Sequence, residues 1–380
     1  MTTETRVGIV GAGQLARMMG DESPTLGLHL TVLATSHEDS AIATVDAAII
    51  GSPTNVEDLR ALARETDVIT FDHELVDLDV LAALAAEGII FRPSPAALAY
   101  SVNKATQRTR FAAAGLPVPR FLIVESADDA GIADFVAQRA SLPVVKAATG
   151  GYDGRGVLFP GSLDELHSMI ATLLTAGPVV LEERVDLRAE VAQMVARSVD
   201  GDIALYPVVT TVQADGMCNE VQFPTALSAS LIDEANRLTR DIAGLIDLVG
   251  VMAVEYFVTP VGLVINELAL RPHNSGHWTI EGCATSQFAN HLLAVAGRGV
   301  GDPTPVVASA VMVNVVGADA PGSVQRATEI AGARVHDYGK AWRPHRKLGH
   351  VTVVGDDLSA IRQTAWASAH AYGTSTKEQA

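Results

Sequence analysis

Short apolar runs alternate with stretches of helical periodicity through the first hundred residues. Each apolar run predicts a buried strand, and the runs lie at 7–10, 30–34, 47–50, 68–71 and 89–91. Helix-compatible stretches separate them, from 14 onwards and over 55–64 and 78–87. Strands that alternate with helices predict a parallel, doubly wound sheet. The sequence Arg92-Pro93-Ser94-Pro95 predicts a domain edge and therefore a first domain over 1–95.

The rest of the chain divides into three further predicted units. The unit over 96–184 contains helices over 96–114 and from 163, and strands at 144–146 and 179–183. The unit over 185–304 contains helices over 232–248 and 286–296, and strands at 190–199, 203–212, 251–258 and 263–267. A small β-rich unit over 305–380 follows Pro303 and Pro305 and continues to about 354.

Composition narrows the function classes. The chain has 27 Lys and Arg against 44 Asp and Glu, a net charge of −17, which argues against a general nucleic-acid binder. Cys218 and Cys283 have neither ligand nor redox spacing and predict buried thiols in a reducing compartment. We expect no signal peptide, and the apolar run at 306–316 is too short to span a bilayer, so the expectation is a soluble, cytoplasmic protein.

The first predicted strand ends in a glycine-rich turn. Residues 11–16, GAGQLA, fit the pattern G-x-G-x-x-A between a strand and a helix, where backbone N–H groups can bind a phosphate. A dinucleotide site needs an acid at the end of the second strand, and Glu38 and Asp39 come too late for it. We therefore favour a phosphate site, and a tight turn without a ligand is the alternative.

A second glycine-rich segment, GGYDGRG at 150–156, follows a predicted strand that ends at Lys146. Four glycines in seven positions predict a flap that closes over phosphates, with Tyr152, Asp153 and Arg155 near its tip. The segment lacks the G-K-[ST] ending and is not a P-loop. A plain surface turn is the alternative.

Glu255 and Glu267 lie on two predicted strands joined by 259–262. If the strands form a hairpin, Glu255 falls opposite Asn266 or Glu267 on one face. Two adjacent carboxylates repel each other unless a cation lies between them, and oxygen ligands of this kind suit Mg²⁺. Two solvated acids at a sheet edge are the alternative.

Two polar clusters follow. In the loop RPHNSGHW at 271–278, Pro272 and Gly276 oppose the helix that a zinc site of two histidines would need, so we favour substrate binding by Arg271, His273, Asn274 and Ser275. The cluster KAWRPHRK at 340–347 is basic in an acidic chain and predicts an anion site. Structural histidines and a solvated basic turn are the respective alternatives.

Five segments carry a resemblance to a known family: GAGQLARM from Gly11, KAATGGYDGRG from Lys146, LEERVDLRAE from Leu181, INELALRPHNSGHWT from Ile265 and YGKAWRPHRKLGH from Tyr338. In this order they resemble the ATP-grasp superfamily and, within it, the N5-carboxyaminoimidazole ribonucleotide synthase family. The resemblance implies an α/β fold with an N-terminal Rossmann-like (pre-ATP-grasp) sheet, a two-lobed α+β ATP-grasp part and a small β-rich C-terminal domain.

The resemblance also implies an activity. ATP phosphorylates bicarbonate to carboxyphosphate, and the carboxyl group passes to the exocyclic amine of 5-aminoimidazole ribonucleotide. The implied cofactors are ATP and Mg²⁺, and the implied assembly is a homodimer. The implied nucleotide contacts are Lys104, Lys146, the flap residues Gly151, Tyr152, Asp153, Gly154, Arg155 and Gly156, the adenine hinge Glu182, Glu183, Arg184 and Val185, and Glu190 at the ribose. Glu255 and Glu267, with Asn266 nearby, would hold the metal.

The resemblance implies a second set of contacts, to the ribonucleotide and carboxyphosphate: Gln14, Leu15, Glu74, Tyr152, Arg155, Arg271, His273, Asn274, Ser275, Lys340, Arg346 and Lys347. Asp153 would steer the amine proton, Lys347 would stabilise the anionic carboxyl group, and Arg271 would act beside them.

The sequence departs from the family pattern at three places. Leu270 stands where proline is usual, and we expect that change to be silent. His345 replaces a common glycine, and Asp72-His73-Glu74 replaces a usual Glu-Phe-Glu. Three alternatives to the implied function stay open: another ATP-grasp ligase, a nicotinamide-dependent oxidoreductase that uses 11–16, and a non-catalytic nucleotide-binding regulator.

Overall fold

A computed structural model describes residues 5–139, 141–150, 156–214 and 216–378. The first sheet is parallel with the order β3-β2-β1-β4, formed by β1 (Thr5–Val10), β2 (Leu28–Ala34), β3 (Ala47–Ile50) and β4 (Val68–Phe71). Its helices are α1 (Gln14–Leu26), α2 (Val56–Glu65) and α3 (Leu78–Ala86). The predicted alternation is confirmed, but the predicted strand at 89–91 is only a bridge between Ile69 and Phe91.

The predicted helix over 96–114 is two helices, α4 (Pro95–Val102) and α5 (Lys104–Ala113). Asn103 separates them with extended backbone, φ −127° and ψ 105°, and its side chain accepts a hydrogen bond from the N–H of Thr106. Asn103 is therefore the N-cap of α5, a role that its amide oxygen suits. Lys104 is the first residue of α5.

The second sheet is small, with the order β5-β8-β6-β7. Its strands are β5 (Phe121–Val124), β6 (Val144–Ala147), β7 (Val157–Leu158) and β8 (Val179–Glu182), and α6 (Gly131–Ala137) and α7 (Leu163–Leu174) pack on it. The central strands β6 and β8 are antiparallel, with Val144 opposite Glu182. Lys146 and Glu182 thus lie on neighbouring strands.

The third sheet contains all later strands of the described chain, β9 to β17. Their order is β14-β13-β9-β11-β12-β15-β17-β16, with β10 beside β9. Its strands are β9 (Ala189–Arg197), β10 (Ile203–Leu205), β11 (Val209–Ala214), β12 (Met217–Phe223), β13 (Gly250–Thr259), β14 (Gly262–Ala269), β15 (Ser309–Val316), β16 (Ala333–Asp337) and β17 (Lys347–Gly355). Its helices are α8 (Ala229–Leu245), α9 (Thr279–Gly282), α10 (Gln287–Val295), α11 (Val324–Thr328) and α12 (Leu358–Tyr372).

This sheet differs from the sequence prediction in several places, among them β12 and α11, which were not predicted. The predicted strand at 203–212 is interrupted at 206–208, where Pro207 has no N–H for a ladder. Helix α12 was not predicted, and its buried Ala365, Trp366 and Ala369 belong to the core formed with β15 and β17. Because β12 pairs with β15, the sheet continues across the predicted boundary at 304/305, and the four domain boundaries stay predictions.

The first sheet packs firmly against the other elements. One hydrophobic core contains Phe71 of β4, Phe111 of α5, Ile242 of α8 and Tyr256 of β13. The hydroxyl of Thr70 also lies 2.8 Å from Nε2 of His291 on α10. These contacts fix the carboxyl end of the first sheet beside the β13–β14 hairpin. Within the described ranges, no helix combines the length and the apolar character that a membrane crossing requires.

Candidate active site

A cleft of about 340 Å³ lies where the three sheets approach one another. It is lined from α1, from the segment after β4, from β12 and the β13–β14 hairpin, and from the start of β17. Nine of the residues predicted from the sequence line it: Gln14, Leu15, Glu74, Glu255, Glu267, Arg271, His273, Asn274 and Lys347. Segments up to 333 residues apart in the chain therefore meet in one site.

Glu255 and Glu267 face each other in the β13–β14 hairpin, as predicted. The register shifts between Glu255 and Tyr256, and this bulge makes Glu267, and not Asn266, the partner of Glu255. Burial, then the carboxylates of Glu267 and Glu190, raise the pKa of Glu255 to about 8. Burial and the neighbouring carboxylates thus disfavour the ionised form of Glu255, and a cation between the two groups would favour it.

Glu267 also pairs with Lys104. The ammonium of Lys104 lies 2.8 Å from Oε1 of Glu267. Burial alone would raise the pKa of Glu267, but the charges of Lys104, Lys146 and Arg108 outweigh it and lower the pKa. The two facing acids therefore have opposite pKa shifts.

A buried ion network lies behind this pair. Glu182 accepts from Nε of Arg108 and from Nζ of Lys146, both at 2.7 Å, and all three side chains are almost fully buried. Burial disfavours the carboxylate of Glu182, but the two cations prevail and lower its pKa to about 2. Burial lowers the pKa of Lys146, although the negative charge of Glu182 opposes this shift. Both oxygens of the Glu182 carboxylate are therefore paired within the network, and a nucleotide could contact this residue only through its backbone.

Arg108 was missed in the sequence. It lies four residues after Lys104 on α5, so the two side chains share a helix face, and that spacing was the available signal. Its second terminal nitrogen donates to the carbonyl of Asn266 at 2.6 Å, and the first bonds the side chain of Gln107. Arg108 thus ties α5 to both β8 and β14.

The segment after β8, the predicted hinge, is tied to β5. The N–H of Glu183 donates to the carbonyl of Arg120 at 2.9 Å, and Oε1 of Glu183 accepts from the N–H of Arg120 at 3.1 Å. The guanidinium of Arg184 lies over the ring of Phe159, 5.3 Å from its centroid. Glu190, on the adjoining strand β9, has a pKa raised by burial, against the opposing charge of Lys146.

The polar loop 271–278 contains a 3-10 turn at Asn274–Gly276. Nδ1 of His273 accepts from the N–H of Ser275, and its Nε2 lies 3.8 Å from Oε1 of Glu255. Burial, then the charges of Arg271 and Lys347, lower the pKa of His273 to about 3, so this imidazole is neutral. Ser275 is fully buried beneath His273 and supports the loop; it is not among the residues that line the cleft.

The glycine turn after β1 is occupied by a carboxylate of the protein. Asp72, which follows β4, accepts hydrogen bonds from the N–H groups of Gly13 and Ala16. A Cβ on Gly13 would lie 2.6 Å from Oδ2 of Asp72, which explains the glycine. Asp72 therefore caps α1, and the predicted phosphate site has lost two of its amides. Gln14 and Leu15, the next residues, line the cleft.

The flap prediction falls largely outside the described residues, which exclude Gly151, Tyr152, Asp153, Gly154 and Arg155. Its two flanks are described. Gly150 lines the cleft, and the carbonyl of Gly156 accepts from the N–H of Ala147 at 2.9 Å. The segment thus begins and ends beside β6 and the cleft.

Comparison with known proteins assigns the chain to a family. Residues 4–101 match the ribonucleotide synthetase preATP-grasp domain, 109–288 the ATP-grasp domain, and 310–364 the phosphoribosylaminoimidazole carboxylase C-terminal domain. The chain is 45% identical to the N5-carboxyaminoimidazole ribonucleotide synthase of Mycobacterium bovis, over 96% of this chain and 87% of that protein. It belongs to the N5-carboxyaminoimidazole ribonucleotide synthase family.

Solved structures of the synthase family share the fold. The enzyme of Thermotoga maritima superposes with a TM-score of 0.85 at 32% identity and covers 98% of this chain and 100% of its own. The enzyme of Aspergillus clavatus was solved with ADP and 5-aminoimidazole ribonucleotide. It has a TM-score of 0.88 at 30% identity, and the match covers 98% of this chain and 99% of its own. The predicted fold class is confirmed: a preATP-grasp domain with a parallel sheet, an ATP-grasp domain and a small C-terminal domain.

Two departures from the synthase pattern have structural consequences. The N–H of Leu270 donates to Oε1 of Glu74 at 2.8 Å, a bond that the usual proline could not make, so the change adds a contact at the start of the loop. The other oxygen of Glu74 lies 3.7 Å from Nε of Arg271, so Glu74 holds the start of the polar loop. His345 has a φ of +60°, the left-handed conformation that the glycine common in the family adopts without strain.

The basic cluster of the synthase C-terminal domain divides between two cavities. Lys347 lines the cleft, whereas Lys340 and Arg346 line a neighbouring cavity of about 640 Å³ beside Gly11 and Gly13. Arg346 also donates to the carbonyl of Ala341 at 3.0 Å, and the ammonium of Lys340 bonds Oε1 of Gln14. Arg346 and Lys347 therefore line different cavities, and their contacts with the ribonucleotide and carboxyphosphate stay predictions.

Proposed function

We propose that this chain catalyses the ATP-dependent carboxylation of 5-aminoimidazole ribonucleotide to N5-carboxyaminoimidazole ribonucleotide in purine biosynthesis. Bicarbonate is first phosphorylated to carboxyphosphate, and its carboxyl group then passes to the exocyclic amine. The observation that carries the proposal is the meeting, in one cleft, of the facing acids Glu255 and Glu267 with the polar loop that contains Arg271 and His273. Membership of the synthase family supports the same reaction.

ATP would bind between the small second sheet and the large third sheet. Lys104 and Lys146 would contact its phosphates, the backbone of 182–185 would contact the adenine, and Glu190 would contact the ribose. This assignment is supported by the positions of Lys104 at the N-terminus of α5 and of Lys146 beside Glu182. The positive end of α5 adds to the attraction for phosphate at Lys104.

Glu255 and Glu267, with Asn266 beside them, would hold Mg²⁺. The fit is supported by two carboxylates that face each other across the hairpin. It is also supported by the raised pKa of Glu255, which is caused first by burial and then by repulsion from the carboxylate of Glu267. When bound, the ion supplies charge neutralisation for the phosphate oxygens.

The residues of the cleft would then act on the anionic carboxyl group. Lys347 and Arg271 supply positive charge, and neutral His273 and Asn274 supply hydrogen-bond donors. Asp153 would guide the amine proton, and the segment 150–156 would exclude water, which otherwise hydrolyses carboxyphosphate. We also propose that the enzyme is a homodimer, as the resemblance implies.

The decisive experiment compares substrates. The purified chain is incubated with ATP and 5-aminoimidazole ribonucleotide, with either ¹³C-bicarbonate or formate, and ADP and the labelled product are followed by NMR. We expect a ¹³C carbamate signal only with bicarbonate and the ribonucleotide together. Product from formate would assign the chain to a different ligase, and NADH binding without ATP turnover would favour an oxidoreductase. In Asp153→Ala we expect no carboxylated product; near-normal turnover would exclude Asp153 from the mechanism.

A further inference from the structure

Gln287 is bound to the polar loop 271–278 by three hydrogen bonds. Its Oε1 accepts from the backbone N–H of His273, and its Nε2 donates to the backbone carbonyl of His273, both at 2.8 Å. The same Nε2 lies 3.0 Å from Nδ1 of His277. Gln287, the first residue of α10, is fully buried. One side-chain amide therefore holds both histidines of the loop.

The backbone of His273 determines which way the amide of Gln287 faces. A backbone N–H can only donate and a backbone carbonyl can only accept, so the oxygen faces the N–H and the NH₂ group faces the carbonyl. The NH₂ group is a donor only, and Nδ1 of His277 must accept from it. The backbone of His273 thus fixes which end of the Gln287 amide is the oxygen and which is the nitrogen.

The proton of His277 is therefore on Nε2. A neutral imidazole that accepts at one nitrogen carries its hydrogen on the other. Burial, and after it the neighbouring histidines and cations, hold the pKa of His277 well below its usual range, so the ring is neutral at physiological pH. His277 is a neutral donor with a fixed direction.

His277 lines the cleft and packs against aromatic rings of the protein. The rings of Phe288 and His350 pack against the imidazole, with centroids 5.6 and 4.8 Å away, and Nδ1 is bound to Gln287. His277 lines the cleft together with Arg271 and Lys347, and because its Nδ1 is bound to Gln287, we infer that the Nε2 edge faces the cleft. A fixed neutral donor beside two cations is suited to an oxyanion.

We propose that Nε2–H of His277 donates a hydrogen bond to an anionic oxygen of the carboxyl group being transferred, and that Gln287 is the positioning residue that fixes this tautomer. The proposal rests on the proposed function for the identity of the acceptor. The tautomer itself follows from contacts within the protein. The two parts are therefore tested by separate measurements.

The tautomer is tested by NMR of the full chain labelled with ¹⁵N-histidine. We expect an unprotonated Nδ1 and a protonated Nε2 at His277. His291 is an internal reference, because its Nδ1 accepts from the backbone N–H of Val251 at 3.1 Å and its Nε2 faces Thr70. In Gln287→Glu, an oxygen replaces the NH₂ group, so the proton of His277 moves to Nδ1 while the His291 signals stay. A wild-type His277 protonated on Nδ1 would overturn the proposal, and this measurement needs no variant to fold.

The contact is tested by two variants of His277. Glutamine carries its amide nitrogen at about the reach of Nε2, and asparagine at about the reach of Nδ1. We expect His277→Gln to form carboxylated product about tenfold faster than His277→Asn, with the KM for ATP unchanged in both. If both folded variants lost the same fraction of the rate of product formation, the proposed hydrogen bond from Nε2–H of His277 would be excluded. A wild-type chain that forms no carboxylated product would instead refute the proposed function, and the NMR result on the tautomer would stand.

Discussion

The ammonium of Lys104 lies 2.8 Å from Oε1 of Glu267. This pair joins the first residue of α5 to the β13–β14 hairpin, and so connects the group assigned to phosphate with a group assigned to metal. The side chain of Lys104 is 11% exposed, against 43% for Glu267, so the cation is the more enclosed partner. The remaining surface of Glu267 opens on the cleft.

Replacing Lys104 by methionine should weaken ATP binding. The variant loses a charge-assisted bond to phosphate, and we expect kcat/KM for ATP to fall roughly tenfold to a hundredfold. Lys104→Arg keeps the positive charge, so its kcat/KM for ATP should fall less. Steady-state ADP release checks this, and equal kcat/KM values for the wild type and the methionine variant would exclude Lys104 from the ATP site.

Glu267→Gln should lose Mg²⁺-dependent ATP turnover, because an amide replaces one of the two facing carboxylates. ADP release is measured over a range of Mg²⁺ concentrations. Glu57→Gln is the matched control, since Glu57 is an exposed residue of α2, and it should behave as wild type. If Glu267→Gln kept full activity at low Mg²⁺, the metal assignment would be wrong.

Acid should weaken the network around Glu182. The pKa of Glu182 is lowered from 4.5 to about 2, so its contribution to stability is present above pH 4.5 and is lost as the pH falls towards 2. At pH 7 we expect Glu182→Gln to lower the free energy of unfolding by about 3–5 kcal/mol, because it leaves Arg108 and Lys146 buried without a carboxylate.

Urea unfolding of the wild type and of Glu182→Gln between pH 3 and pH 7 measures this difference. The difference should shrink below about pH 4.5, because there the carboxyl group of Glu182 takes up a proton in the unfolded chain but not in the fold. A difference that stays constant over the range would contradict the lowered pKa.

His345→Gly should stabilise the fold. His345 adopts a φ of +60°, and a side chain with a Cβ is strained there. Relief of the strain, less the backbone entropy of glycine, should raise the free energy of unfolding by about 0.5–1 kcal/mol. His345→Ala keeps the Cβ and should give no gain, so an equal gain in both variants would point to the imidazole and not to the backbone.

The sequence contains enough information for the local part of this site. The turn at 259–262 and the apolar pattern around it limited the partner of Glu255 to Asn266 or Glu267, and only the bulge after Glu255 decided between them. The alternation in the first hundred residues likewise predicted the parallel sheet, because both elements of each unit are local.

Contacts between distant segments were not predictable in this way. Asp72 caps a helix 56–59 residues earlier in the chain, and Arg108 pairs with Glu182 across 74 residues. Each depends on how sheets pack and not on a local pattern. Arg346 and Lys347 separate at the start of β17, since Lys347 is its first residue and Arg346 belongs to the segment that follows a turn.

The ratio of carboxylated product to ADP, measured in one reaction with ATP, Mg²⁺, ¹³C-bicarbonate and 5-aminoimidazole ribonucleotide, decides whether this chain couples ATP use to carboxylation. We expect one carbamate for each ADP, and loss of both in Glu267→Gln. ADP formation without any labelled carbamate, or carbamate formation that does not require ATP, would contradict this expectation.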